Sequence, residues 1–465
     1  MKRKETSQLR AFWNEFRRVR FGIVGLVLFA VFVLIVAFEP LLMPYRDANE
    51  RWRDMTYWLD SPRNALPVWV NWFSAKDYAV AEKLEATSVT ESQVGTLRMM
   101  TMEFDYDFDY ERPPTDFQLV MTLTGNASLQ MEVIRPDGES LNYQRSTSSS
   151  GTRELRISIA QNLQDKVFRL ASPFADPDVI ASENPETIDA VATMFAVAGP
   201  SMLRNTSPLQ GTYTCRLTVA LTGEDSQLDS AHVIIAGGVA GWMGTDASKR
   251  DIWSGLIAGT KWALLIGLLT SFVSVAVGVV YGVVAGYFGG WIDSAMNRVF
   301  EIFLSMPLLP ILIVMSAVFK PSIWTMIIMM CLFFWVGPVK TVRSMALQIK
   351  ENTYIEAAKA LGASHRRIVF KHLLPQLVPY AFATMALSVP SAIVYEASIS
   401  LIGLGDATVV TWGQILQDAY ASGAVLQGTW WWVVPPGIAI ALMGMTFAFI
   451  GFAMDTILNP KLRTR

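Results

Sequence analysis

Charge is what this 465-residue chain has least of for its length: 17% of its residues are Asp, Glu, Lys or Arg, and 52% are hydrophobic. Soluble proteins average roughly 25% charged residues, so this is a membrane composition. The length also exceeds one ordinary soluble domain. Cysteine is scarcer still. Cys331 lies in an apolar segment and Cys215 in the polar part, so no disulfide between them is expected, and no metal-ligand spacing exists. The three histidines, His232, His365 and His372, form no metal or catalytic cluster and read as isolated structural or surface groups. No G-x-x-x-x-G-K-[ST] phosphate loop occurs, so the chain is not expected to hydrolyse ATP or to act as an enzyme. A mid-membrane relay of Asp, Glu or His is also missing, which argues against a proton-coupled transporter.

Long apolar runs are what the chain has instead. A spanning helix needs about 20 mostly apolar residues, and six stretches qualify: 21–43, 256–287, 295–319, 322–346, 376–402 and 431–455. Pro307 and Pro310 interrupt the third, and Gly337 and Pro338 the fourth; bundle neighbours can satisfy the backbone groups freed at such breaks. The first run is too long for a signal-peptide core and lacks a small-residue cleavage site, so it reads as an uncleaved anchor.

The net charge of −2 hides an asymmetry. Residues 45–250 carry 28 acidic and 18 basic groups, a net of −10, and the remainder carries 12 and 20, a net of +8. Seven Lys/Arg precede Phe21, seven more lie from Lys340 to Lys371, and Lys461, Arg463 and Arg465 end the chain, whereas 403–430 has none. Cytoplasmic loops collect Lys and Arg. The expected orientation therefore puts both termini and the 340–375 loop in the cytoplasm, and the acidic block and the 403–430 loop outside. Trp430, Trp431 and Trp432 then fit an aromatic belt at the outer interface.

The expected layout is a basic tail (1–20), helix 1 (21–43), an extracytoplasmic insert (44–243) and a five-helix core (244–460) with a cytoplasmic loop at 347–375. Within the insert, alternating runs such as LRMMTMEF, FQLVMTLTG, SLQMEVIRPDG, ELRISIA, TYTCRLTVALTG and AHVIIAGG predict a small antiparallel β domain, with helix around 187–198. The alternate carboxylates of FDYDFDYE (104–111) suggest a Ca²⁺ site, but the spacing matches no EF-hand loop, and a solvated strand face backed by aromatics fits better.

Four features of the core bear on function. Between two spans lies EAAKALGASHRRIVFKHLLP (356–375). Asn352 or Thr353 can cap a helix there, with Glu356 at capping-box distance from Thr353; Ala357 and Ala358 give it a smooth face, and Gly362 can stop it. Such a helix fits a groove on another protein; an ordinary polar loop is the competing reading. Glu396, near the outer end of the fifth span, is either a pathway or gate residue or a helix-end charge reaching water. Gly278, Gly282, Gly286 and Gly290 recur every four residues and mark a close-packing face. Arg298 and Glu301, at i and i+3, are expected to pair.

Four ordered stretches resemble the C-type permease subunit of dipeptide/oligopeptide ABC importers: GTDASKRDIWSGLIAGTKWAL (244–264), VAGYFGGWIDSAMNRVFEIFLSMP (284–307), the 356–375 loop, and EASISLIGLG with the following WG (396–413). The resemblance covers most of the last 220 residues, and the large insert is not part of the family's minimal pattern. Where the general pattern has isoleucine two residues before Leu374-Pro375, this chain has His372, which looks like the peptide branch. The resemblance implies an all-α polytopic permease with six transmembrane helices, a type I ABC importer fold, and the β-rich domain inserted between helices 1 and 2. It implies that Glu356, Ala357, Ala358, Gly362, Leu374 and Pro375 form the loop that contacts the ATPase. It also implies a second permease, two ATPase subunits holding ATP and Mg²⁺, and an extracytoplasmic binding protein. It gives no cofactor or metal to this chain and no nucleic-acid partner. Peptides are the implied cargo; oligosaccharides and nickel stay open, as do a membrane-anchored receptor with a ligand-binding insert and a secondary transporter that works without an ATPase.

Overall fold

The computed structural model describes residues 13, 15–94, 97–147, 150–204 and 206–458. Two compact units emerge, one formed by Met1–Arg53 with Ser254–Arg465, the other by Asp54–Trp253.

The first long helix is α1 (Arg20–Ala37), followed by the single turn α2 (Glu39–Leu42). Two 3₁₀ turns, Met55–Trp58 and Val68–Trp72, then open the second unit. Strands β1 (Glu82–Leu84), β2 (Ser88–Val94), β3 (Leu97–Phe108), β4 (Asp116–Ile134), β5 (Ser140–Thr147) and β6 (Gly151–Arg156) follow. Three short helices come next, α3 (Gln161–Ala171), α4 (Pro177–Ser182) and α5 (Ala190–Met194), and then β7 (Gly211–Ala236).

All seven strands form one antiparallel sheet of order β2-β3-β7-β4-β5, with β1 on β7 and β6 on β4. Pairs of runs that read as separate strands are each one long strand, because β4 and β7 stay paired from Asp116↔Ala236 to Ile134↔Thr214, through register shifts between Thr122 and Leu123 and between Thr124 and Asn126. Period-2 alternation buries Phe104, Tyr106 and Phe108 and leaves Asp105 and Asp107 outward. Those carboxylates accept from Thr214 Oγ1 (2.6 Å) and Thr212 Oγ1 (2.7 Å) across the strand pair. Among the described residues no group of three His, Cys, Asp or Glu is placed to hold a metal.

Phe195, one residue past α5, packs 4.3 Å from the Tyr213 ring and 5.0 Å from that of Phe108. The α5 segment is fixed there by the buried Arg135 guanidinium, which donates to Met194 O and Ala196 O and pairs with Asp137 in the Pro136-Asp137-Gly138 turn. In the Gly-Thr-Asp stretch, Thr245 Oγ1 accepts from Ala65 N and donates to Pro62 O, while buried Asp246 accepts from the backbone and the Nε of Arg250. The motif therefore pins this stretch to residues 62–65 immediately before the next helix begins.

That helix is α6 (Ile252–Phe288), followed by α7 (Gly290–Ser305), α8 (Leu308–Val318), α9 (Ile323–Phe334), α10 (Val336–Lys350), α11 (Thr353–Ala360), α12 (His365–Ile368), a π turn (Val369–Leu373), α13 (Leu374–Leu401), α14 (Trp412–Ala421) and α15 (Trp430–Leu458). Among the described residues five helical stretches are long and apolar enough to cross a membrane, and a sixth is counted if α7 and α8 are one span. That third expected span is bent by 80°, at Met306-Pro307. Pro307 offers no N–H, and both residues adopt extended backbone there.

Gly278, Gly282 and Gly286 are the close-approach face that their spacing predicts. A Cβ at each would lie 2.3 Å from Trp335 O, 2.8 Å from Val342 Cγ1 and 2.8 Å from Arg343 O, so α6 and α10 touch backbone to backbone within one subunit. Gly290 does not belong with them. It sits beyond the end of α6 with φ +55°, and nothing lies within 4 Å of its Cβ position, so its role is the turn into α7. The tryptophan triplet also divides. Successive residues on a helix are rotated by about 100°, and only Trp430 is exposed, while Trp431 and Trp432 are buried.

Candidate functional site

Two regions of the helical unit carry the candidate residues. The first is the 350–375 segment. Helix α11 is held at its base by Ile355, fully buried with Tyr287, Val342, Ala346, Ile368, Val369 and Leu373. Tyr287 fixes the following turn, its hydroxyl 2.7 Å from His365 Nδ1, and Lys359 lies over its ring at 5.7 Å. From this base the other face projects freely: Glu356 and Ala357 are exposed, Ala358 is half-buried and Leu361 is 89% exposed. Gly362 ends the helix with φ +79°, and its N–H donates to Lys359 O. The expected capping box is not made. Asn352 holds the N-cap position without a side-chain bond, leaving Glu356 free of the backbone it was expected to cap.

The chain returns to helix at His365, earlier than the apolar run suggests, because Ser364 Oγ caps it by accepting from Arg367 N. Helix then continues to Leu401. Pro375 has no N–H to give Lys371 O, and the backbone widens into the π turn directly before Leu374. Leu374 is half-buried and Pro375 exposed, so both stand at the point where the segment joins its long helix. Beside it, Arg343 Nε bonds Asp293 Oδ1 at 2.6 Å and clamps α10 to α7. Arg298 and Glu301 pair at 3.2 Å on the surface.

The second region is the opposite end of α13. Glu396 is 4% exposed. Its Oε1 accepts from Ser400 Oγ (2.8 Å) and Thr411 Oγ1 (2.7 Å), so it reaches hydroxyl donors rather than water. Thr411 in turn caps α14 by accepting from Gln414 N. The intervening loop is tied to α9, where Asp406 Oδ2 accepts from Ile323 N at 3.0 Å.

Between these ends lies a cavity of about 660 Å³, lined in part by Phe303, Phe334 and one face of α13. That face carries Tyr380, Thr384, Ser388, Ser391 and Tyr395, and the cavity also meets Asp455. Glu396 is not among its lining residues. The hydroxyls recur at 380, 384, 388, 391 and 395, a helical spacing readable in the sequence.

The family of binding-protein-dependent transport system inner membrane components matches residues 278–464, and the N-terminal TM domain of oligopeptide transport permease C matches residues 7–62. The dipeptide transport system permease protein DppC of Bacillus subtilis is 36% identical over 223 residues, 48% of this chain and 69% of the relative. The oligopeptide transport system permease protein OppC of Haemophilus influenzae is 32% identical over 48% of this chain and 71% of its own. Among solved structures, the inward-facing MetNI methionine ABC transporter aligns with 44% of this chain and 94% of its own, at 21% identity and a TM-score of 0.34. The helical unit is that of a multi-pass inner-membrane transport permease. The chain belongs to the binding-protein-dependent inner membrane component family, as an ABC importer permease of the dipeptide/oligopeptide type.

Proposed function

We propose that this subunit imports peptides as one half of a permease pair, powered by two ATPase subunits and supplied by an extracytoplasmic binding protein. Both termini and the 340–375 loop face the cytoplasm, and the β-rich unit stands outside. The observation that carries the coupling part is α11, anchored by Ile355 on one side while Glu356, Ala357 and Leu361 project unpacked on the other. That arrangement suits a helix seated in a groove of an ATPase, with Gly362 closing it and Leu374 and Pro375 at the joint to the pathway helix. ATP-driven motion of the ATPases then moves α11, and α13 passes it along the cavity. Such coupling requires that the two access states engage the partners differently.

The cavity supports a peptide cargo. Its neutral hydroxyls can exchange hydrogen bonds with successive backbone amides. The peptide relatives point the same way. Co-purification from native membranes followed by uptake in liposomes tests the reading: two ATPases, a second permease and ATP-dependent peptide accumulation are expected. Uptake of oligosaccharide or nickel in place of peptide would reassign the cargo, and function without an ATPase would overturn the mechanism.

For the insert we propose docking of the binding protein, or cover over the outer mouth, because it follows the first span directly. Deleting residues 60–235 is expected to weaken binding-protein affinity and uptake, and unchanged values would refute the assignment.

A further inference from the structure

The insert leaves the helical unit after Arg53 and returns to it at Ser254. Both of these roots pack on the same short helix, α14. At the leaving root, Arg53 Nη1 contacts Asp418 Oδ1 at 2.9 Å and Oδ2 at 3.1 Å, and its Nη2 donates to Gln414 Oε1 at 2.9 Å. The three bonds form a fork that fixes orientation as well as distance. At the returning root, a Cβ on Gly255 would lie 2.6 Å from the Trp52 ring and 3.0 Å from Ile415 Cδ1. A Cβ on Gly259 would lie 2.6 Å from the Trp412 ring, whose Nε1 donates to Leu256 O at 3.0 Å. Close packing of this kind transmits displacement rather than absorbing it.

The far side of α14 meets the bundle. Thr411 at its cap donates to Glu396, a Cβ on Gly413 would lie 2.8 Å from Ala397 Cα, and the loop before it holds the first N–H of α9 through Asp406. Thus α14 stands between the two roots of the insert and the ends of α9 and α13.

We propose that α14 relays movement of the insert to the ends of α9 and α13, with Arg53 as the positioning residue that couples the insert's root to this relay. The proposal rests on the reading that the binding protein docks on the insert. In this relay a docked, loaded binding protein shifts the roots, the Arg53 fork pulls α14, and Thr411 and Asp406 release or re-seat the ends of α13 and α9 that they hold. Arg53 touches no cargo and no ATPase in this scheme.

The test uses the whole reconstituted complex with its ATPases and purified binding protein. ATP hydrolysis is measured with and without loaded binding protein, alongside the Kd for that protein. Arg53→Ala and Asp418→Ala are each expected to lower binding-protein stimulation about fivefold or more, with assembly, basal hydrolysis and Kd unchanged. Arg53→Lys, which keeps the charge but loses the fork, is expected to recover part of it, and the Arg53→Asp/Asp418→Arg exchange more than either single change. Full stimulation in both alanine variants overturns the relay. So does a loss shared equally by basal hydrolysis and assembly, which marks a merely structural contact. If deletion of residues 60–235 leaves Kd unchanged, the docking reading fails first and takes the relay with it.

Discussion

The Glu396 carboxylate accepts the Thr411 hydroxyl at 2.7 Å in the interior of the helical unit. The bond joins the end of α13 to the cap of α14, and Ser400 donates to the same oxygen at 2.8 Å. Replacing Glu396 by Ala leaves two buried hydroxyls without that acceptor, at about 1–3 kcal/mol for each group left unsatisfied. The variant is expected to melt at lower temperature in detergent. Glu396→Gln keeps an acceptor oxygen and should lose much less. Equal melting of the alanine variant and the wild type would remove Glu396 from the architecture of this end.

Helix contact through glycine makes a contrasting pair. Gly282→Val places atoms where Val342 Cγ1 and Val339 O already lie, at 2.8 and 2.9 Å from the Cβ position. Overpacking of this kind costs about 1–3 kcal/mol. Gly290→Asn meets nothing within 4 Å and keeps a residue that tolerates the left-handed conformation. Thermal melting should separate the two, with only the first strongly destabilised; equal losses would contradict the assignment of Gly290 to a turn.

Burial pushes the Cys215 thiol up to about 12. A raised folded value means that folding favours the protonated thiol. Its contribution is therefore complete below the unfolded value near 8.5 and is lost as pH rises through about 12. Wild-type stability relative to Cys215→Ala is expected to fall between pH 8.5 and 10.5. A difference that stays flat across that interval would show that the thiol does not titrate this way.

Much of this was readable from local pattern. Apolar runs fall on the long apolar helices, the four-residue glycine period includes three residues at close approach, and alternation falls on the strands. Long-range pairing was not readable. Arg53 and Asp418 are 365 positions apart, and neither carries a spacing signal that names the other. Glu396 stands out in the sequence, but a charge at a helix end reads equally well as solvated or buried until the loop's fold is known. The capping box failed for a local reason. Asn352 takes the N-cap position, which makes Thr353 the first helical residue rather than the cap. The hydroxyl face of α13 had the right period, but its serines and threonine are common enough in membrane helices to pass as packing.

The central claim is that α11 and its flanks couple transport to ATP hydrolysis, and it is tested most directly by Glu356→Trp and Gly362→Val in the reconstituted importer. Valine at position 362 must adopt φ near +79°, which strains the helix stop without touching a neighbour, and tryptophan at position 356 adds bulk on the exposed face. The account predicts that both variants reach the membrane and fold, that peptide uptake is lost, and that the ATPases either dissociate or hydrolyse ATP without transport. Normal ATP-dependent uptake by both variants would contradict it.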